Sequence, residues 1–289
     1  MAKTVLVAMS GGVDSSVALS KVLEMGHDAI GITMKLWNNK DPKTNTVRPS
    51  LCNSADAING AKLICDRLGV KHYTIDFIDL FKKYVVDDFV SQYMNGKTPN
   101  PCVKCNSMIK WDALIKFSQE IEADLIATGH YAQIKKIEGE FILSKGIDAS
   151  KDQSYMLWDI DKKQLSKTLF PIGGMTKQEV REYAIKHDLE TANRAESQDL
   201  CFVLGDDYSQ FLYEIDPDKM ANISDGPIVD EENNKVGMHK GFTSYTVGQR
   251  KGLGLSFPEP RYVKKINPIN NTIVVSKKDA LYSNRCTAH

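Results

Sequence analysis

Thr4-Val5-Leu6-Val7-Ala8-Met9-Ser10-Gly11-Gly12-Val13-Asp14-Ser15-Ser16 is a short apolar run, a glycine pair, and the start of a segment in which Ala18, Val22 and Met25 recur at helical spacing before Gly26 stops it. This reads as strand, loop, helix. A glycine pair after a strand lets the backbone turn tightly and aim successive N–H groups at an anion, and the following helix adds its positive end. The loop therefore predicts phosphate binding. Ser10, Ser15 and Ser16 are expected to add hydroxyl donors, and Asp14 to be a ligand or close partner of a magnesium ion. No Lys closes the loop, so it is neither G-x-x-x-x-G-K-[ST] nor G-x-G-x-x-G. A plain turn and helix cap, with Asp14 favouring the helix dipole, is the alternative.

The unit repeats outward from there. Residues 29–34 read as a strand, Ser54 as the cap of a helix ending before Gly69, and 71–75 as a further strand. A helix then carries Ala113, Phe117 and Ile121 on one stripe, and 125–130 read as a buried strand running into a loop. Strands alternating with helices predict an α/β domain on a parallel sheet, with ligands beyond the carboxyl ends of the strands, where Ser10 and Gly129 both fall. The polar stretch 37–52, with Pro42 and Pro49, is expected to be a mobile loop over the site. After about residue 200, Asp-rich turns and short β-like pieces at 228–230 and 272–276 predict a small, mainly β domain. The division is expected as 1–204 and 205–289.

Composition limits the class. With 42% hydrophobic and 26% charged residues, the chain is globular rather than disordered. It contains no apolar run of the roughly 18 residues a membrane helix needs, and no signal or transit pattern, so a cytoplasmic location without a membrane partner is expected. The 37 basic and 37 acidic residues cancel, but 235–289 hold ten Lys or Arg against two Asp or Glu. That net +8 suits a grip on a phosphate backbone, or simply a solvated basic face. In the same segment, Arg250 of Gly248-Gln249-Arg250-Lys251-Gly252 offers bidentate phosphate recognition.

Thr98-Pro99-Asn100-Pro101-Cys102-Val103-Lys104-Cys105-Asn106 places two cysteines three residues apart at the start of a helix, a spacing suited to a metal, a cluster or a redox pair. Cys105 is expected at the helix N-terminus, where the dipole favours thiolate. Cys201 lies far away in Gln198-Asp199-Leu200-Cys201-Phe202. Cys52, Cys65 and Cys286 read as small packing residues. Trp37, Trp111 and Trp158 could stack on adenine or a base, but are assigned to the core.

In order, the Ser10–Ser15 loop, Thr98-Pro99-Asn100-Pro101 before the cysteines, Ala127-Thr128-Gly129-His130-Tyr131, Lys151-Asp152-Gln153-Ser154-Tyr155, Cys201-Phe202 and Gly248-Gln249-Arg250-Lys251-Gly252-Leu253-Gly254 resemble the tRNA-specific 2-thiouridylase family, up to about Val275. The loop is similar to that of adenylating enzymes that cleave ATP between its α and β phosphates. The resemblance implies an adenine-nucleotide α-hydrolase-like (PP-loop ATPase) domain, and an enzyme that adenylates O2 of the wobble uridine of tRNA and then replaces that oxygen by sulfur. It implies that Ala8, Met9, Ser10, Gly11, Gly12, Val13, Asp14, Ser15, Met34 and Gly129 hold ATP with Mg2+. Asn100, Pro101 and Cys102 would meet the target base, and His130, Lys151, Asp152 and Gln153 would contact tRNA. A persulfide carrier protein would load Cys201 with persulfide sulfur, and Cys105 would close a disulfide that releases it; sulfide would be the donor where the open iron of a cluster binds it as hydrosulfide.

Two departures qualify this. Many members carry Asp where this chain has Cys102, so Cys102, Cys105 and Cys201 are expected as alternative ligands of a [4Fe-4S] cluster with one open iron; a zinc site would want a fourth ligand such as His130. Members also usually continue into a C-terminal β-barrel, expected here to be reduced, absent or truncated. Two readings of other classes remain: a ligase or amidotransferase acting on a small molecule, which has no use for the three cysteines, and a non-catalytic RNA- or metal-binding module.

Overall fold

In the strand β1 (Thr4–Ala8), Val5, Leu6 and Val7 are wholly buried, as a strand covered on both faces requires. The structure is a computed structural model that describes residues 1–38, 55–194, 200–203 and 207–283. The expected cap Ser54, the loop assigned to 37–52 beyond its first two residues, Cys52 and Cys286 lie outside the described residues.

Parallel pairing links β1 to β2 (Asp28–Lys35), and β2 to β3 (Lys71–Asp76). The other edge of β1 pairs in parallel with β4 (Leu125–Ala127). The chain then makes an antiparallel hairpin of β5 (Ala132–Ile137) and β6 (Glu140–Lys145), before β7 (Thr168–Leu169) pairs in parallel with β4. The resulting order among the described residues is β3-β2-β1-β4-β7. Growth of the sheet reverses between β1 and β4, and a ligand crevice opens at such a reversal. The hairpin departs from the expected strand–helix alternation; its turn, Glu138-Gly139, has positive φ at both positions, the twist that two-residue hairpin turns favour.

The helix Val13–Glu24 presses Val13, Val17, Ala18, Leu19 and Val22 into the sheet, each at most 3% exposed. Met25, expected on that stripe, is its C-cap and half exposed. The helix Asp112–Glu120 corrects a second expectation: it buries Leu114, Ile115 and Ser118, while Ala113, Phe117 and Ile121 stay half-buried. Its rotation is set upstream by the π-helical segment Cys105–Trp111, where the fully buried Trp111 donates from Nε1 to Thr168 Oγ1 at 2.9 Å.

Met1–Val86 and Asn100–Phe202 form one unit; Asp87–Pro99 and Val203–His289 form the other. A single cut at 204/205 leaves 87–99 in the first. Within the second unit, Phe89 meets Tyr93 and Phe211, and Tyr93 stacks on Tyr208 at 4.8 Å. Its sheet contains β8 (Gly226–Val229), β9 (Lys235–His239), β10 (Tyr262–Asn267) and β11 (Thr272–Ser276), in the order β10-β11-β8-β9. All pairs are antiparallel except β11 with β8. Ile228, Phe242, Leu253, Val263, Ile266, Ile273 and Val275 fill its core. No described helix is long and apolar enough to cross a membrane.

Candidate active site

The loop after β1 turns because Gly11 has φ +76°, and a Cβ there would stand 2.3 Å from the Ala57 carbonyl oxygen. The loop thus lies directly against the helix Ala55–Arg67. From the other side, a Cβ on Gly129 would meet the Asp14 carbonyl carbon at 2.8 Å and Ser15 N at 2.9 Å. The loops beyond β1 and β4 therefore touch backbone to backbone, and only glycine permits it. Gly12 caps the helix Val13–Glu24 without a side-chain hydrogen bond, leaving a helix N-terminus that attracts an anion.

Of the residues expected around ATP, Ser10 is exposed, and Ala8, Gly12, Asp14 and Gly129 are partly so. Met9, Val13 and Met34 bury their side chains, so Met9 and Val13 can offer only backbone. Ser15 and Ser16 correct the expectation of hydroxyl donors: both donate to the Gly12 carbonyl at 3.0 Å and brace the loop from inside. Arg194 clamps the loop from outside, donating to the Gly11 carbonyl at 2.7 Å and the Asp56 carbonyl at 3.2 Å. Gly60 leaves room for its guanidinium, which a Cβ there would meet at 2.6 Å.

The loop lacks a lysine in sequence but not in space. Lys177, at the first position of the helix Lys177–Lys186, places Nζ 2.8 Å from Asp14 Oδ1 and from Asp14 Oδ2. The Tyr131 hydroxyl donates to Asp14 Oδ1 at 2.7 Å. The Lys177 side chain is 11% exposed and that of Asp14 32%, a mostly dry pair open to the crevice on the acidic side. Sequence reading missed Lys177 and Arg194, and quoted Tyr131 without a role. The one legible signal was Thr176-x-x-Glu179, a capping box that the structure forms and that announces the helix carrying Lys177.

Asn100 caps the next element, its side-chain oxygen accepting from Cys102 N at 3.1 Å, with Pro101 in the first turn. Cys102 therefore holds the N-terminal position expected for Cys105. Cys105 lies a turn further in, buried, where Pro101–Lys104 passes into the π-helical segment. Phe202 packs edge-on against Phe81 at 5.6 Å, and the short helix Ile78–Phe81 borders Cys105–Trp111, so the Cys201 stretch runs beside the same wall. Cys102, Cys105 and Cys201 are thiols. Cys65 is buried, as expected.

A family model described as tRNA methyl transferase HUP domain matches residues 3–205, and one described as tRNA methyl transferase PRC-barrel domain matches residues 213–277. The tRNA-specific 2-thiouridylase MnmA of Heliobacterium modesticaldum is 44% identical over 290 residues, covering 100% of this chain and 74% of that protein. Its counterpart in Chloroflexus aurantiacus is 46% identical over 284 residues, covering 98% and 77%. The chain belongs to the tRNA-specific 2-thiouridylase family. Among solved structures, a 4-thiouridine synthetase–RNA complex with bound ATP has a TM-score of 0.43 at 19% identity, over 69% of this chain and 45% of that one. NMN synthetase from Francisella tularensis has a TM-score of 0.41 at 15% identity, over 76% of each.

For a 2-thiouridylase, the glycine-lined crevice and capless helix end fit ATP. Magnesium at Asp14 is less simple than expected, because both carboxylate oxygens already face Lys177 and the ion has to compete with it. The [4Fe-4S] expectation does not fit: among the described residues no three His, Cys, Asp or Glu side chains converge so as to hold a metal ion. Among the described residues Cys102, Cys105 and Cys201 are not gathered as a ligand set, nor is a zinc site completed by His130.

The residues expected on tRNA divide sharply. His130 is 7% exposed, hydrogen-bonds Thr128 Oγ1 through Nδ1 at 2.7 Å, and packs beside Trp111 and Phe170. Burial, helped by the Lys110 charge, pushes its pKa well below the usual histidine value, so it is a neutral core ring rather than an RNA contact. Asp152 is desolvated, yet hydrogen bonds from Gly146 N, Ser154 Oγ and Ser154 N hold its carboxyl below the usual range. It folds its own loop. Gln153 does likewise, exchanging hydrogen bonds with the Tyr131 backbone at 2.9 Å through both its side chain and its backbone N–H. Lys151 begins that braced stretch. In the second unit, Gln249 bonds Thr246 N and the Lys251 carbonyl, which leaves Arg250 exposed on a tied loop.

Proposed function

We propose that this chain is a tRNA-specific 2-thiouridylase that uses ATP to exchange O2 of a tRNA uridine, the wobble uridine, for sulfur. The observation that carries this reading is the backbone contact of Gly129 with Asp14 and Ser15, which makes a phosphate crevice in the same unit as the Asn100-capped cysteine turn.

A carbonyl oxygen leaves poorly as hydroxide. O2 attacks the α phosphate, pyrophosphate departs, and the AMP ester so formed is a competent leaving group. Gly11, Gly12 and the end of the helix Val13–Glu24 orient the phosphates, while Lys177 offsets the Asp14 charge that would otherwise repel them. Asn100, Pro101 and Cys102 border the base. Cys201 carries a persulfide whose outer sulfur attacks C2 and expels AMP. The Cys105 thiolate then attacks the inner sulfur, closing a Cys105–Cys201 disulfide and leaving sulfur on C2. A donor of persulfide and a reductant for the disulfide complete the cycle. Residues 1–204 carry activation and sulfur transfer, 205–289 with Arg250 hold tRNA, and the cytoplasm is where these partners meet.

The test is thionucleoside formation on unmodified tRNA supplied with ATP and a persulfide source. Formation of 2-thiouridine with release of AMP and pyrophosphate is expected; no thionucleoside with folded wild-type chain would sink the reading.

A further inference from the structure

Trp158 and Tyr155 are 66% and 60% exposed, whereas Trp111 is fully buried. Among the described residues, neither exposed ring meets another ring or a cation. Their backbone is nevertheless held firmly. Leu157, between them, is 1% exposed and Ile160 8%. The Met156 carbonyl accepts from Asn106 Nδ2 at 3.0 Å, and Asp159 Oδ2 accepts from Ser107 Oγ at 2.9 Å and faces Lys104 Nζ at 3.5 Å. Every one of those partners belongs to the stretch that contains Cys102 and Cys105. Two aromatic faces are thus fixed in water at the edge of the cysteine turn, with Lys104 beside them and Lys151 just upstream. This overturns the assignment of Trp158 to the core: the buried anchors of the stretch are its aliphatic neighbours.

We propose that Trp158 and Tyr155 form a stacking platform for unpaired bases of the substrate RNA. The inference rests on the function proposed above. A base that reacts at O2 has to leave its stack, which uncovers the faces of its neighbours, and aromatic rings at the rim of the site replace that lost stacking. Stacking tolerates any base, so the platform grips the loop around the target without reading its sequence. Lys104 supplies positive charge for the phosphates of the splayed strand.

The experiment uses the full chain and unmodified tRNA, with affinity measured by filter binding and by tryptophan emission. Wild type is expected to show quenching on tRNA addition. Trp158→Phe keeps a stacking ring and is expected to bind within about 3-fold of wild type while losing most of that quench. Trp158→Ala, and separately Tyr155→Ala, are each expected to weaken tRNA binding by about 5-fold to 100-fold with ATP affinity unchanged. Wild-type tRNA affinity in both alanine variants would overturn the platform, as would an undiminished quench in Trp158→Phe. So would loss of binding to a persulfide-carrying protein with tRNA affinity intact, which would make the surface a protein dock. Failure of wild type itself to bind or thiolate tRNA overturns the function and the platform together; a normal wild type with unaffected variants overturns the platform alone.

Discussion

Lys177 Nζ lies 2.8 Å from both carboxylate oxygens of Asp14, joining the first turns of two helices whose residues are 163 positions apart. Lys177→Met would leave Asp14 facing the incoming triphosphate with only the Tyr131 hydroxyl. With Asp14 a third exposed, water moderates the cost to about 1–3 kcal/mol of stability. ATP affinity should fall by about 10-fold or more. Asp14→Asn in the same chain should restore most of the stability. Calorimetric ATP titration checks the first effect and urea unfolding the second; unchanged ATP affinity in Lys177→Met would show that the loop holds nucleotide without this cation.

Gly129→Ala forces a methyl to 2.8 Å from the Asp14 carbonyl carbon, a backbone atom that no rotamer change can move. Spreading the two loops by about 1 Å is expected to cost roughly 10²-fold in kcat/KM for adenylation. Gly174→Ala is the control, since a Cβ there meets nothing within 4 Å. Equal losses in both variants would disconnect the crevice from catalysis.

The cysteines separate by partial reaction. Cys105→Ser and Cys201→Ser should retain tRNA-dependent pyrophosphate release and lose thiolation by at least about 10³-fold, whereas Cys102→Ser should retain much of both. Anaerobic purification with iron and sulfide analysis runs alongside. Stoichiometric iron together with an inactive Cys102→Ser would reinstate a cluster and refute the relay.

His130, His72 and His239 are all driven by burial toward the neutral form. Their folded pKa values lie below the 6.5 of a free ring, so the unfolded chain binds more protons as pH drops through 6.5. The stability they contribute is complete above that pH and lost as pH falls toward the folded values. His130→Gln should flatten the acid decline of the urea midpoint between pH 6.5 and 5; an unaltered slope would show that its ring titrates as in the unfolded chain.

The first strand, its loop and the helix after it were legible because strand, glycine pair and apolar period sit within one short window. The rest depended on distance. Lys177 could be placed on a helix by its capping box, but nothing in Thr176-Lys177-Gln178-Glu179 names Asp14 as its partner. Ser15 and Ser16 have the chemistry of phosphate donors, and only the three-dimensional turn shows their hydroxyls pointing back to Gly12. His130 follows Gly129 in a motif near the nucleotide, yet its ring enters the wall formed by Trp111 and Phe170. Trp158 was misassigned because residue type favours burial, while its neighbours Leu157 and Ile160 fill the buried positions. The Ala113 stripe failed because a regular 3.6-residue period ignores the wider turn before it.

That wider turn has a consequence for how the protein tolerates change. A π-helical stretch carries surplus chain per turn relative to an α-helix, so Cys105–Trp111 acts as a phase adjuster between a thiol-bearing end and an end locked by Trp111 to Thr168. Deleting one residue there uses up the surplus and relaxes the stretch toward ordinary helix with both ends in phase, whereas the same deletion in an ordinary helix turns one end by about 100° around the axis relative to the other. A one-residue loss in this segment is therefore absorbed locally and is not passed on to the thiol-bearing end.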